Sequence, residues 1–91
     1  MQADFKNNKI KLINTIGKII KAKRIALNKT IYLISAESSM SKSTWREAEL
    51  GLCNDINLTT LCKISEGLNI KPGDLINEVY NKLGKDFTLI D

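Results

Sequence analysis

The stretch MSKSTWREAELG, residues 40–51, decides the fold of this chain. Ser41 is a residue type that caps helices by accepting a backbone N–H, and Gly51 can adopt the positive φ that ends a helix. The two residues therefore delimit a predicted helix of about two and a half turns, at ~3.6 residues per turn. Residues three and four apart share a side of such a helix. Its two sides are an apolar one with Trp45, Ala48 and Leu52, and a polar one with Lys42, Ser43, Arg46 and Glu47.

The polar side of this helix admits two interpretations. Every surface helix has a solvated side, and charged residues there often do no more than keep the protein soluble. Cations and short hydrogen-bonding side chains near a helix N-terminus are also typical of a helix that contacts DNA bases. The neighbouring segments favour the second interpretation.

A second helix is predicted directly before this one. Thr30 caps it, it extends over residues 30–37, and residues 38–40 form a turn into the central helix. Two short helices joined by such a turn make a helix-turn-helix, whose second helix is placed to enter the major groove of DNA.

Three further helices complete an all-α domain. A first helix is predicted over residues 10–27, where an apolar stripe consists of Ile13, Ile16, Ile20 and Leu27. Asn57 caps a fourth helix that reaches Gly67, and Pro72 begins a fifth that ends at Gly84. We thus predict a compact five-helix fold over residues 10–84.

The two ends of the chain receive separate predictions. Residues 1–9 are polar apart from Phe5, and we predict a flexible basic N-terminal arm. The tail, residues 85–91, adds Phe87, Leu89 and Ile90 to the apolar side of the fifth helix. That surface predicts a homodimer interface, and the alternative is a tail that folds back on its own core.

Composition limits the possible classes of protein. The chain has 91 residues, of which 43% are apolar and 26% are charged, as expected for one globular domain. No apolar run approaches the ~18 residues of a membrane span, and no signal peptide is evident. We therefore expect a soluble, cytoplasmic protein.

Positive charge is concentrated in the first third of the chain. Residues 1–29 carry eight Lys and Arg against one Asp, a net +7, whereas residues 30–91 carry six cations against nine anions, a net −3. Such an asymmetry favours binding to a polyanion. A Lys-rich amphipathic segment can also lie on an anionic membrane, but a helix whose apolar side is used by the core has nothing to insert.

The cysteine and histidine content argues against a metal site and against catalysis. Cys53 and Cys62 are the only cysteines and the chain contains no His. Without CxxC pairs or His ligands we expect no metal site and no cofactor. We expect the two cysteines to be small buried thiols in a reducing compartment. The commonest general base is missing and no nucleophile has a recognisable catalytic setting, so we expect no enzyme.

Four segments together resemble the Xre or Cro/CI family of helix-turn-helix DNA-binding proteins. The resemblance covers about residues 16–83, and its order and spacing are more specific than any single segment. The segments are IGKIIKAKR (16–24), MSKSTWREAELG (40–51), LTTLCKISEGLNI (58–70) and PGDL (72–75).

The resemblance implies roles for individual residues. Arg24 and Glu49 match a pair that forms a structural ion pair in lambdoid phage repressors, tying the first helix to the third. DNA bases are expected to be contacted by Lys42, Ser43, Thr44, Arg46 and Glu47. Backbone phosphates are expected to be contacted by Thr30, Asn54 and Asn57.

The chain also departs from the family. Ile31 stands where a Gln often bonds a phosphate, Trp45 and Ala48 reverse the usual order of a small and a larger residue, and Ser39 replaces a common Gly.

Two functions follow as expectations. The first is a sequence-specific regulator of transcription, a repressor, that binds double-stranded DNA as a homodimer on a palindromic operator. The alternative is a protein-interaction module, such as an antitoxin bound to a toxin or an accessory subunit, with weak or no DNA binding. The resemblance to the Xre or Cro/CI family is compatible with both.

Overall fold

The computed structural model describes the backbone of residues 2–90 and the side chains of residues 5–90. Over these residues the chain is all-helical, which confirms the predicted fold class. The five helices are α1 (Gln2–Ala26), α2 (Ile31–Glu37), α3 (Lys42–Leu50), α4 (Leu58–Gly67) and α5 (Pro72–Leu83). In the part of the chain that the structure describes, no helix combines the length and apolarity that crossing a membrane requires.

The first helix is longer than predicted. It begins at Gln2, so residues 2–9, predicted as part of a flexible arm, are helical; Met1 lies outside the described residues. No Gly or Pro interrupts the chain before Gly17, so the helix can continue toward the N-terminus at little cost. Distant contacts also hold this part of α1, since Asn8 Nδ2 donates to the carbonyl of Thr88 at 2.9 Å.

The ends of the inner helices lie where local sequence predicts them. Thr30, Ser41 and Asn57 cap α2, α3 and α4. Each side-chain oxygen accepts the backbone N–H three residues further on, at 3.1, 3.1 and 2.8 Å. Gly51 ends α3 with a φ of 70°, the left-handed conformation that favours glycine.

The core lies among all five helices, with Trp45 fully buried in it. Helix α1 packs against α3 and α5, α2 packs against α3 and α4, and α4 packs against α5. One side of α3 therefore faces the body of the protein and the other faces solvent. The central cluster of buried residues consists of Ile16, Ile20, Ile34, Trp45, Ala48, Ile64, Leu68, Leu75 and Val79, and Ile13 is buried as well.

Several apolar residues are exposed, including Leu27 and Leu52, which we predicted to face inward. Leu52 is 64% exposed and Leu58 is 73% exposed, because they flank the loop between α3 and α4, where no other helix covers them. Leu27 is exposed at the end of α1, and Leu33 is exposed on α2, whose buried positions are Ile34 and Ser35. Helical spacing indicates the direction of a side chain but not what covers it.

The C-terminal tail lies against the body of the same chain. The ring of Phe87 meets that of Tyr80 edge-on, with centroids 5.7 Å apart, and Thr88 accepts the bond from Asn8. Ile90 remains 79% exposed. The folded-back arrangement is thus present for Phe87 and Thr88.

Candidate nucleic-acid interface

The outer side of α3 carries all five side chains predicted to contact bases. Each of them is exposed to solvent: Lys42, Ser43, Thr44, Arg46 and Glu47. Two of them also contact the helix cap, because the Thr44 hydroxyl accepts a hydrogen bond from Ser41 Oγ at 2.7 Å and Ser43 Oγ lies 3.4 Å from the same atom.

One residue on this surface escaped the sequence analysis. Leu50 is 48% exposed and lies three and four positions after Glu47 and Arg46, which places it on the same side of α3. The same spacing that grouped the other residues indicates it. An exposed Leu there can contact the methyl group of thymine, as apolar side chains do in the major groove.

The two cations of α3 have no acidic partner within the described residues. Lys42 and Arg46 lie one turn apart and form none of the ion pairs among those residues. Three lysines of α1 and the α1–α2 turn differ, since Lys9, Lys23 and Lys29 each pair with a carboxylate. The charge on the outer side of α3 is therefore available to an external ligand.

The inner side of α3 is fixed by a buried carboxylate. Arg24 and Glu49, predicted as a structural ion pair, come together: Arg24 Nε and Nη2 donate to the two oxygens of Glu49 at 2.5 and 3.0 Å. Trp45 Nε1 donates to Glu49 Oε2 at 2.6 Å, so one carboxylate serves three donors. The hydrogen bonds to Glu49 raise the pKa of the Arg24 guanidinium by favouring its charged form.

This cluster also joins α3 to the turn before α2. Arg24 Nη1 donates to the carbonyl of Lys29 at 2.9 Å, one residue before the cap of α2. The guanidinium thus links the end of α1, the start of α2 and the inner side of α3. The Trp45 contact was not predicted, although a buried indole N–H needs an acceptor and the spacing of four residues places Glu49 within reach.

The three residues predicted to contact phosphates are exposed, and two of them also form hydrogen bonds within the protein. Thr30 and Asn57 use one oxygen each to accept a helix N–H, which leaves the Thr30 hydroxyl proton and the Asn57 amide N–H groups able to donate. Asn54 is exposed in the loop between α3 and α4. Ile31 packs against the core, so it does not replace the phosphate contact of a Gln.

The cysteines have no partner in a disulfide bond. Both Cys53 and Cys62 are half-buried free thiols. Burial raises the pKa of the Cys53 thiol, which keeps it protonated and poorly nucleophilic near neutral pH.

Comparisons with protein-family models, with curated proteins and with solved structures found no match for this chain. The function is accordingly inferred from the side chains that the five helices present to solvent.

Proposed function

We propose that the chain is a cytoplasmic, non-enzymatic regulator of transcription that binds double-stranded DNA in a sequence-specific way. In this proposal α2 and α3 act as a helix-turn-helix and α3 enters the major groove. One observation carries it: the outer side of α3 presents cations that pair with no carboxylate of the described residues, beside short polar groups, while its inner side is fixed by Trp45 and the buried Glu49. A rigid helix holds its donors and acceptors in register with base edges.

The chemistry of the exposed side chains fits base contacts. Lys42 can donate to O6 and N7 of guanine, Ser43 can bond to either kind of base edge, and Glu47 can accept from N4 of cytosine. Arg46 can reach a guanine or a phosphate. Glu47 is the most informative of these, because a carboxylate repels phosphates and is favourable at such a surface when it meets a base donor.

We propose further that two copies bind a palindromic operator and act as a repressor. One helix of nine residues contacts few base pairs, so a second copy in the next major groove, about 34 Å away, supplies the remaining specificity. Apolar side chains at the C-terminal end support self-association, since Tyr80 and Ile90 remain exposed after the tail has folded back. Sedimentation at several protein concentrations tests the homodimer.

The second candidate is a protein-interaction module, such as an antitoxin that holds a toxin. Leu52 and Leu58 favour it, because two largely exposed leucines flank the loop that also carries the predicted phosphate contact Asn54. Exposed apolar side chains suit a protein partner better than a phosphate backbone.

The test is a titration of the protein against a fluorescent duplex that contains the DNA upstream of its own gene, beside a scrambled duplex. We expect a preference of roughly a thousandfold or more for the native duplex. Lys42→Ala and Arg46→Ala should each weaken that preference by roughly 5- to 150-fold, the equivalent of ~1 to 3 kcal/mol per base contact. Lys82→Ala, which removes the same charge from an exposed position of α5, should not.

Two outcomes contradict the proposal. Equal, strongly salt-dependent binding to both duplexes indicates a cationic surface without base recognition. Absence of binding to either duplex favours the protein-interaction module.

A further inference from the structure

We propose that α1 carries a second contact with DNA, in which Lys6 and Lys9 bind backbone phosphates beside the loop between α3 and α4. This inference rests on the proposed function, because it takes α3 to lie in the major groove. It concerns phosphates alone, so it extends to DNA of any sequence.

The side of α1 that faces the protein changes character along the helix. Ile20, Ile16 and Ile13 are buried there at helical spacing, and the same stripe continues into Lys9 and Lys6. Amphipathic helices ordinarily place lysine on the solvent side. The N-terminal part of α1 therefore presents lysines, and not apolar residues, on the side that is continuous with the core-facing stripe.

A cleft of about 300 Å³ lies at this position, between α1 and the loop that follows α3. It brings the two lysines next to Asn54, a residue for which a phosphate contact was predicted independently. The residues that line it include Lys6, Lys9, Ile10, Ile13, Leu52 and Asn54.

Close packing fixes α1 in this position relative to α3. A Cβ atom at Gly17 would lie 2.5 Å from the carbonyl oxygen of Ala48, so the backbones of the two helices are in direct contact. A Cβ atom at Gly51 would lie 2.0 Å from Oδ1 of Asn14. The N-terminal half of α1 consequently extends past the C-terminal end of α3.

The dimensions of the groove place this end of α3 near the phosphates. A helix of nine residues is ~13 Å long and the major groove is ~12 Å wide. When the N-terminal end of α3 contacts bases, the loop after its C-terminal end lies near the sugar–phosphate backbone at the edge of the groove. Ammonium groups at that position meet phosphate oxygens.

Lys9, which lines this cleft, already binds an anionic oxygen. Its Nζ lies 3.4 Å from Oδ2 of Asp55, whose side chain is 76% exposed. Exposed ion pairs of this kind contribute little to stability, so a phosphate can displace the carboxylate at low cost.

The experiment compares two double variants of the full chain that remove the same charge from the same helix. Lys6→Ala with Lys9→Ala removes the proposed contacts, and Lys11→Ala with Lys18→Ala removes two exposed lysines from the opposite side of α1. Binding to the native and scrambled duplexes is measured from 50 to 200 mM salt, and circular dichroism checks that both variants fold.

We expect the first variant to bind both duplexes roughly tenfold more weakly in 100 mM salt. The slope of log K against log salt should become shallower by about two, since each phosphate contact contributes about 0.9. The second variant should keep the slope of the unaltered protein, because charges on the far side of α1 are screened beyond ~10 Å at 0.1 M salt.

The outcomes separate this inference from the proposed function. Equal losses in the two variants, or an unchanged slope in the first, overturn the inference even where the native duplex is strongly preferred. A shallower slope for the first variant alone supports it even where the two duplexes bind equally and base recognition fails. If the unaltered protein binds neither duplex, both proposals are overturned.

Discussion

Glu49 is the residue that sets the position of α3. Its side chain is 3% exposed, and its two oxygens accept hydrogen bonds from Arg24 and from the indole of Trp45. Moving a carboxylate out of water costs several kcal/mol, which hydrogen bonds and an opposite charge can offset. Because those donors come from both α1 and α3, the carboxylate couples the orientation of α3 to the rest of the core.

Glu49→Gln should therefore destabilise the fold strongly. The amide removes the charge that balances Arg24 and turns an N–H₂ group toward one of the donors. Breaking a buried ion pair in this way costs about 3 kcal/mol or more, measurable as a lower midpoint in urea. Glu47→Gln is the matched control, since that side chain is exposed two residues earlier and should change stability by less than ~0.5 kcal/mol. Equal effects of the two substitutions would show that the buried cluster is not special.

Ser39 is strained in the turn between α2 and α3. Its φ is +56°, a conformation that costs a residue with a Cβ about 1 kcal/mol. Ser39→Gly should remove that strain and, after allowing for the greater freedom of glycine in the unfolded chain, raise the free energy of unfolding by ~0.5 kcal/mol or more. Asn69→Gly is the comparison, because Asn69 has a φ of +58° but asparagine tolerates it better. A gain at Asn69 equal to that at Ser39 would argue against strain at the serine.

At the scale of helices, the contact between α1 and α3 depends on Gly17. Glycine within a helix costs about 1 kcal/mol relative to alanine, so a specific reason is required for it in the second half of α1. The reason is the short distance to α3, since an added Cβ would lie 2.5 and 2.6 Å from two backbone carbonyl oxygens. Backbone atoms cannot move aside as a flexible side chain can.

Gly17→Ala should thus lower the free energy of unfolding although it improves helix propensity. The helices must separate, and overpacking of this kind typically costs ~1 to 3 kcal/mol. Gly73→Ala provides the control, because Gly73 is in α5 and a Cβ there meets nothing within 4 Å. That substitution should stabilise the protein by up to ~1 kcal/mol. Thermal unfolding of both variants measures the difference, and a stabilising Gly17→Ala would refute the close approach of the helices.

The helices also show what local sequence can and cannot predict. The starts of α2, α3 and α4 were predictable because capping is a contact over three residues. The start of α1 was not, because its N-terminal turns contact Thr88 and Asp55, residues distant in the sequence. The outer side of α3 followed from helical spacing. The contact of Trp45 with Glu49 was missed although the spacing of four residues indicates it, because the sequence alone does not show that both side chains are buried.

At the scale of the whole molecule, ion pairs neutralise part of the positive charge in the N-terminal third of the sequence. Four of the eight cations in residues 1–29 form ion pairs within the described chain, with partners from α2, α3, the loop after α3 and α5. These four are Lys9, Lys23, Arg24 and Lys29. The attraction that the N-terminal third exerts on a polyanion is consequently weaker than its net charge suggests, and it depends on the carboxylates near each lysine.

Asp55 is the carboxylate whose removal tests this view. Asp55→Asn leaves Lys9 without its acidic partner but keeps an oxygen that can accept the N–H of Ile56, as Asp55 Oδ1 does at 2.9 Å. Stability should change by less than ~0.5 kcal/mol because the pair is exposed. Affinity for DNA should rise roughly fivefold in low salt, the equivalent of ~1 kcal/mol for one charge about 4 Å away in water.

A charge-matched control separates this local effect from net charge. Asp74→Asn makes the same change of charge at the start of α5. That helix packs on α1 and α4 and is separated in sequence from the loop between α3 and α4. Titrations of both variants against one duplex in 50 and 200 mM salt should show a gain for Asp55→Asn alone, and a smaller one in the higher salt. Equal gains would mean that net charge governs binding. A loss of affinity at Asp55→Asn would mean that the carboxylate positions Lys9 for the phosphate instead of competing with it.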